Sequence, residues 1–159
     1  MCRQSFHIIG ISDSTEIYFP PRVQEVISRG KVFSGGVRHH QLVERFLPEG
    51  AEWIDITVPL DKVFAQYAAH REIVVFASGD PLFFGFANTV QRLLPESRIH
   101  VYPTFNSLQM LAHRLLLPYQ EMRMVSLTGR PWKAFDAALI RGERMLGVLT
   151  DRVKTPASI

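Results

Sequence analysis

Cysteine is almost absent from this 159-residue chain, which contains only Cys2. A single cysteine cannot form an internal disulfide, so the sequence argues against a disulfide-stabilised secreted domain and favours a reducing compartment. Long apolar runs are also missing. The first run, residues 6–11, is too short for a signal peptide or a membrane span, and no later run approaches about 18 residues. We therefore expect a cytoplasmic protein that does not enter a membrane.

The chain also has little excess charge, because 18 Lys and Arg residues against 15 Asp and Glu leave a net charge of +3. So small an excess does not predict a nucleic-acid-binding surface. Of the 18 basic residues, 14 are arginine. Arginine binds carboxylates and phosphates with two parallel hydrogen bonds, so this bias is compatible with a polyanionic ligand, although compositional drift at the surface is the favoured explanation.

Histidine is present in six copies, but none is spaced as in a zinc site, so we expect no metal held by the protein. The six are His7, His39, His40, His70, His100 and His113.

Short apolar runs alternate with segments whose apolar residues recur every three or four positions, a pattern that predicts parallel strands joined by crossover helices. The expected fold class is therefore α/β. The predicted strands are residues 6–11, 31–34, 53–57, 72–78, 98–102, 122–127 and 144–149. The predicted helices are residues 21–29 and 61–70, with further helical stripes that begin after Pro81, near Leu108 and after Pro131.

The pattern restarts after Leu117-Pro118, which predicts a domain boundary there, with an N-terminal α/β domain over residues 1–117 and the start of a second over 118–159. Thr155 is expected to cap a helix that Pro156 opens. This second domain looks incomplete, so we expect its strands to leave apolar faces uncovered and the chain to self-associate.

The sharpest local motif is residues 78–85 (SGDPLFFG), at the end of the most apolar predicted strand. Asp80 precedes a proline, which favours the extended backbone of a helix cap, so Asp80 is predicted to cap a helix opened by Pro81. Gly79 would let the backbone approach a ligand in the crevice at the carboxyl ends of the strands. A turn that merely caps a helix is the alternative.

The chain resembles the tetrapyrrole methyltransferases, in particular the C5-methylating part of the precorrin-6Y C5,15-methyltransferase group. Residues 78–85 resemble the GDP loop of this family. Four other stretches match in order along the chain: residues 35–39 (GGVRH), 103–109 (PTFNSLQ), 125–130 (VSLTGR) and 149–156 (LTDRVKTP).

The resemblance implies S-adenosylmethionine bound in a cleft between two α/β domains, with a precorrin above it. The implied cofactor contacts are Gly10, Ser78, Gly79, Asp80, Phe83, Asn106, Ser107 and Thr150. Arg38 and Arg130 are candidates for the carboxylates of the substrate, with simple surface exposure as an equal alternative. The group also implies a decarboxylating C15-methyltransferase as a partner or fused domain.

Three positions depart from the pattern of this family. Residues 10–14 (GISDS) stand for G-x-G-P-G, Thr104 replaces a glycine, and Thr128 replaces a histidine. The first two alter the approach of the backbone, and the third removes a titratable group. We interpret these departures as variation within an active subgroup. The alternatives are a weakened or non-catalytic methylase-like binding module, or a methylase that acts on another substrate.

Overall fold

The computed structural model describes residues 3–14 and 16–159, so the prediction for Cys2 lies outside the described residues. The strands are β1 (Ser5–Ile11), β2 (Val32–Gly35), β3 (Glu52–Asp55), β4 (Glu72–Ser78), β5 (Arg98–Tyr102), β6 (Arg123–Ser126) and β7 (Leu146–Leu149). The helices are α1 (Pro21–Arg29), α2 (Val37–Val43), α3 (Asp61–Tyr67), α4 (Phe86–Leu93), α5 (Ser107–Leu115) and α6 (Lys133–Ile140). This mixed architecture confirms the predicted α/β class.

The chain forms two compact units, which divide after Asn106. The predicted boundary, between residues 117 and 118, lies eleven residues later, so α5 falls in the second unit rather than the first. The reason is the packing of α5 on β7. Leu108 of α5 lies so close to Gly147 of β7 that a Cβ atom added to Gly147 would be 3.0 Å from Cδ1 of Leu108. Helix α5 therefore belongs with β7 and not with the strand that precedes it.

The first unit is built on a parallel five-stranded sheet in the order β3-β2-β4-β1-β5. Strand β4 is central and is buried from Ile73 to Ala77. A parallel strand covered on both faces is expected to be apolar at every position, which is how residues 73–77 (IVVFA) read. Helix α1 lies on one face through Val23 and Ile27, and so does α2 through Val43.

The other face of this sheet is covered by α3 and α4. Val63 and Tyr67 of α3 and Val90 of α4 are fully buried against it. The helices that follow neighbouring strands therefore lie on opposite faces of the sheet. Helix α4 follows β4 on one face, whereas α1 and α2 follow its neighbours β1 and β2 on the other.

The second unit pairs β6 and β7 in parallel, with α6 packed against them. Val125 and Leu127 are buried against Phe135, so the expectation that residues 122–127 leave an apolar face uncovered does not hold at these positions. Helix α6 carries exposed apolar side chains instead. Leu139 belongs to the helical stripe predicted after Pro131, but it is 58% exposed because α6 turns Phe135 and Ala138 inward.

The expected helix at the end of the chain is a single 3-10 turn, Pro156–Ser158. Thr155 precedes it as predicted, but its side chain makes no capping hydrogen bond. Across residues 3–14 and 16–159, the helices are all too short or too polar to span a membrane.

Candidate functional site

A crevice is expected at the carboxyl ends of β1, β2 and β4, because the chain leaves these neighbouring strands towards opposite faces of the sheet. Open parallel sheets bind small molecules where neighbouring connections part in this way. The predicted contacts Gly10, Ser78, Gly79 and Asp80 all lie at this edge. Asn106 follows β5 at the same edge, and its side chain is buried.

The loop after β4 does not have the predicted conformation. Helix α4 begins at Phe86 with Gly85 as its N-cap, five residues after the predicted start at Pro81. The helix cannot begin earlier because Phe84 has a φ of +50°, in the left-handed region, and Gly85 is extended. The prediction that Asp80 caps a helix is therefore wrong.

Asp80 instead closes a turn. Its Oδ1 atom accepts a hydrogen bond from the backbone N–H of Leu82 at 2.9 Å, and its carbonyl accepts one from Phe83 at 3.0 Å. Such side-chain turns are a common role of aspartate in loops. Phe83 is half-buried and makes an edge contact with Phe84, at 4.9 Å between ring centroids.

Two variants of Asp80 should distinguish the role of its side chain in the turn from any role of its charge in ligand binding. Asp80→Ala removes the acceptor for Leu82 and should cost about 0.5–1.5 kcal/mol of unfolding free energy. Asp80→Asn keeps an oxygen acceptor but removes the charge, so its stability should match the wild type. If the carboxylate also binds a ligand, both variants should weaken binding, measured by calorimetry beside thermal unfolding. Wild-type affinity in Asp80→Asn would show that the charge has no part in binding.

Two glycines join the strand ends. The N–H of Gly79 donates to the carbonyl of Ile11 at 2.8 Å, and its own carbonyl accepts from Thr104 at 3.1 Å. Gly79 has a φ of +60°, and a Cβ there would lie 2.9 Å from Cα of Asn106. A Cβ on Gly10 would lie 1.8 Å from the carbonyl oxygen of Gly79. Both glycines are thus required by close backbone packing between β1, β4 and the loop after β5.

Arg38, a predicted substrate contact, is half-exposed at the start of α2 and forms an ion pair with Asp13 in the loop after β1. Sequence reasoning missed this pair, although Asp13 lies in one of the departures from the family pattern. An exposed pair of this kind contributes about 0–1 kcal/mol. A carboxylate of a ligand could therefore replace Asp13 at little cost.

His39 connects the same loop to the end of β4. Its Nε2 atom lies 3.0 Å from the hydroxyl of Ser78, and its Nδ1 atom accepts a hydrogen bond from the N–H of Gly36 at 3.3 Å. Burial, followed by the nearby charge of Arg38, lowers the pKa of His39, while Asp13 opposes the shift. The ring is therefore neutral near pH 7. The sequence signal was only that His39 and Ser78 lie in two matched motifs.

The other predicted site residues lie in the second unit. Ser107 is the first residue of α5 and is exposed. Thr150 follows β7, and its carbonyl accepts a hydrogen bond from the hydroxyl of Thr128 at 3.1 Å. Arg130 follows β6 in an exposed loop. Thr150 and Arg130 are thus on the two adjacent loops that follow the paired strands.

Asp151 fastens these two loops together, a role that the sequence did not reveal. Its Oδ2 atom accepts from the N–H of Gly129 at 3.0 Å, and its Oδ1 atom accepts from Val153 at 2.9 Å and from Lys154 at 2.7 Å. The hydrogen bond from Gly129, with those from Lys154 and Val153, lowers the pKa of Asp151 to about 2. The carboxylate therefore holds the loop of Arg130 beside the loop of Thr150.

The lowered pKa of Asp151 predicts acid sensitivity of the second unit. Its stabilising contribution is fully present above the ordinary value of 3.8 and is lost as the pH falls through about 2. The amide signal of Gly129, followed by NMR from pH 5 to pH 1.5, should shift with a midpoint near 2. In Asp151→Asn this titration should vanish. A midpoint near 3.8 in the wild type would mean that the hydrogen bonds to the carboxylate do not form in solution.

The described residues contain no group of three or more His, Cys, Asp or Glu side chains arranged to hold a metal ion. The hydrogen-bonding groups at the crevice are the hydroxyl of Ser78, the carboxylate of Asp80 and the amide of Asn106. This set can bind ammonium, carboxylate and hydroxyl groups, so it suits a small polar organic molecule.

Comparison with known proteins identifies relatives of similar amino-acid sequence. The chain is 31% identical over 147 residues to a precorrin-6Y C(5,15)-methyltransferase [decarboxylating] of a Sinorhizobium species. The matched segment covers 91% of this chain and 35% of that protein. It is 26% identical over 154 residues to a cobalt-precorrin-7 C(5)-methyltransferase of Salmonella typhimurium, covering 96% of this chain and 74% of the relative. The chain thus spans about a third of the first relative and three quarters of the second.

Solved structures agree on the fold. The precorrin-6Y methylase CbiE of Archaeoglobus fulgidus superposes with a TM-score of 0.74 over 99% of this chain and 78% of that one, at 21% identity. No model of a protein family matches the sequence. The two relatives extend over nearly the whole chain and bear names from the group that the five ordered motifs resemble. The chain thus has the tetrapyrrole methylase fold, and over most of its length it is similar to precorrin methyltransferases of the CbiE type.

Proposed function

We propose that this protein transfers a methyl group from S-adenosylmethionine to a ring carbon, C5, of a precorrin or cobalt-precorrin in cobalamin biosynthesis. The observation that carries the proposal is the meeting of Ser78, Asp80 and Asn106 at one edge of the sheet. These residues lie in two separate matched motifs, and all three follow the carboxyl ends of β4 and β5, at the edge where open parallel sheets bind ligands. The names of the two relatives supply the reaction and the substrate class.

Bound S-adenosylmethionine supplies a methyl group that its sulfonium already activates. An electron-rich ring carbon of a reduced tetrapyrrole is already nucleophilic, so the protein needs no covalent nucleophile. Its main contribution is to hold the reactants in line, which can supply roughly 7–11 kcal/mol of the barrier. The closely packed backbone around Gly10 and Gly79 provides the rigid base that such positioning requires.

Ser78, Asp80 and Asn106 are proposed to bind the polar groups of the cofactor. Asp80 is best suited to its ammonium or ribose hydroxyls. A carboxylate against the sulfonium would stabilise the charged ground state more than the charge-dispersed transition state. Exposed Leu82, Phe84 and Phe105 on the loops after β4 and β5 offer apolar surface for the rest of the ligand.

The remaining contacts rest on the family resemblance. Ser107 and Thr150 are proposed cofactor contacts, and Phe83 supports the loop of Asp80. Arg38 and Arg130 are proposed to bind carboxylates of the substrate. A decarboxylating C15-methyltransferase is the proposed partner, because the Sinorhizobium relative carries both activities in its name and is about three times as long as the matched segment.

The experiment is transfer of a labelled methyl group from S-adenosylmethionine to precorrin substrates with and without cobalt, followed by NMR of the product. We expect a single new methyl group at C5. Binding of S-adenosylmethionine without transfer to either substrate would favour a non-catalytic module. Transfer to another carbon or to a different substrate would show a related methylase of other specificity.

A further inference from the structure

We propose that His39 is a positioning residue for the methyl-donor site, where it fixes the hydroxyl of Ser78 as a hydrogen-bond donor to an oxygen atom of the ligand. This inference rests on the proposed function, because it assigns a role within the same crevice. It concerns a side chain on α2, 39 residues before Ser78 in the sequence.

The hydrogen bonds of the imidazole ring of His39 determine which of its nitrogen atoms carries the hydrogen. The backbone N–H of Gly36 can only donate, so Nδ1 of His39 must be the acceptor and carries no hydrogen. In a neutral imidazole the hydrogen then lies on Nε2. The 3.0 Å contact between Nε2 and the hydroxyl oxygen of Ser78 is therefore donated by His39. The hydrogen-bond network assigns this tautomer, which leaves Ser78 as the acceptor.

The hydroxyl of Ser78 can accept from His39 and donate to a second group at the same time. A serine hydroxyl has one hydrogen to donate and two lone pairs to accept with. Since one lone pair accepts from His39, the hydrogen of Ser78 is available to point away from the ring. Ser78 is exposed at the end of β4, beside Gly79 and Asp80. The hydroxyl is thus prepared to donate to a carboxylate or hydroxyl oxygen of a ligand in the crevice.

The arrangement makes ligand binding sensitive to acid. A proton on Nδ1 would face the N–H of Gly36, and because two donors repel each other, the ring would turn away from the position in which Nε2 donates to Ser78. The charged groups next to the ring are Arg38 on α2 and Asp13 in the loop after β1, and from β4 it meets Ser78, which does not titrate in this range. Burial, the largest effect, and Arg38 lower the pKa of His39 below 6.5. We therefore expect binding to weaken only below pH 6.5.

Two variants of His39 each keep one of its two hydrogen bonds, so they separate the contact with Gly36 from the contact with Ser78. Asparagine places its amide near the position of Nδ1, so His39→Asn can still accept from Gly36 but cannot reach Ser78. Glutamine is longer, so His39→Gln can donate to Ser78 but does not titrate. His40→Asn is the matched control, because His40 lies on the same helix and stacks on Trp53 at 3.9 Å between ring centroids.

The measurement is calorimetric titration of the chain with S-adenosylhomocysteine from pH 5 to pH 8, with thermal unfolding of each variant. His39→Asn should lower affinity about three- to tenfold at pH 7.5, the effect of one lost hydrogen bond. His39→Gln should restore affinity and flatten the pH profile. In a Ser78→Ala background, His39→Asn should have no further effect. His40→Asn should lower the melting temperature but keep the wild-type pH profile.

Wild-type affinity in His39→Asn, or an equal loss in His40→Asn, would overturn the role of His39 while the proposed function stands. A pH profile that His39→Gln does not flatten would do the same. If the wild-type chain binds no S-adenosylhomocysteine at any pH, both the proposed function and this inference fail.

Discussion

Gly10→Ala should be the most damaging single substitution at the carboxyl edge of the five-stranded sheet. The added methyl group would lie 1.8 Å from the carbonyl oxygen of Gly79 and 3.0 Å from the N–H nitrogen of Thr104. Both neighbours are backbone atoms, and they hydrogen-bond to each other, so neither can move alone. We expect a loss of at least about 3 kcal/mol of unfolding free energy, at the upper end of the cost of overpacking.

Gly36→Ala is the stability control for Gly10→Ala. A Cβ on Gly36 would meet its nearest neighbour, Nδ1 of His39, at 3.7 Å, an ordinary contact. Its cost should stay below about 1 kcal/mol, as for other exchanges at a helix N-cap. Urea unfolding of the two variants makes the comparison. Equal stabilities would contradict the close contact between β1 and the loop after β4.

Gly79→Val should have the second-largest effect. Valine at a φ of +60° carries the cost of a left-handed backbone, roughly 1–2 kcal/mol, and its Cβ would also meet Cα of Asn106 at 2.9 Å and the carbonyl of Phe105 at 3.0 Å. If Gly79 only let the backbone approach a ligand, as the sequence predicts, this substitution would abolish cofactor binding and leave the fold intact. The structure changes that expectation, because Gly79 also holds the strand ends together.

Gly50→Val is the matched control, since Gly50 lies in the same unit, has a φ of +75° and would place its Cβ in open space. Both variants carry the conformational cost, so the difference between them isolates the contact with residues 105 and 106. We expect Gly79→Val to be less stable by about 1–3 kcal/mol and to lose binding of S-adenosylhomocysteine. If Gly50→Val is equally unstable, the contact with Asn106 does not matter.

The sequence predicted the elements whose physical cause is local. Strands β4 and β5 and helix α1 begin and end at the predicted residues. The apolar run of β4 and the proline that opens α1 are sufficient to predict these two elements, because neither depends on a contact with a distant residue. The start of α4 was missed because it depends on Phe84, a non-glycine residue in the left-handed region that no local pattern announces.

Contacts between distant residues could not be read from the sequence. The motifs indicated that Ser78 and Asp80 belong to a site, but not that His39 holds Ser78 or that Asp13 pairs with Arg38. These pairs form because the order of the strands places the loops after β1, β2 and β4 side by side. The division of the compact units after Asn106 also depends on contacts between distant residues, such as that of Leu108 in α5 with Gly147 in β7.

We propose above all that the crevice at the carboxyl ends of β1, β2 and β4 binds the methyl donor. The most direct test is two-dimensional NMR of the labelled chain titrated with S-adenosylhomocysteine. We expect saturable shifts of the amide signals of Gly79, Asp80 and Asn106, with little change at Glu72 and Arg98, which begin β4 and β5 at the opposite edge of the sheet. Shifts centred on that opposite edge, or no saturable shifts, would contradict it.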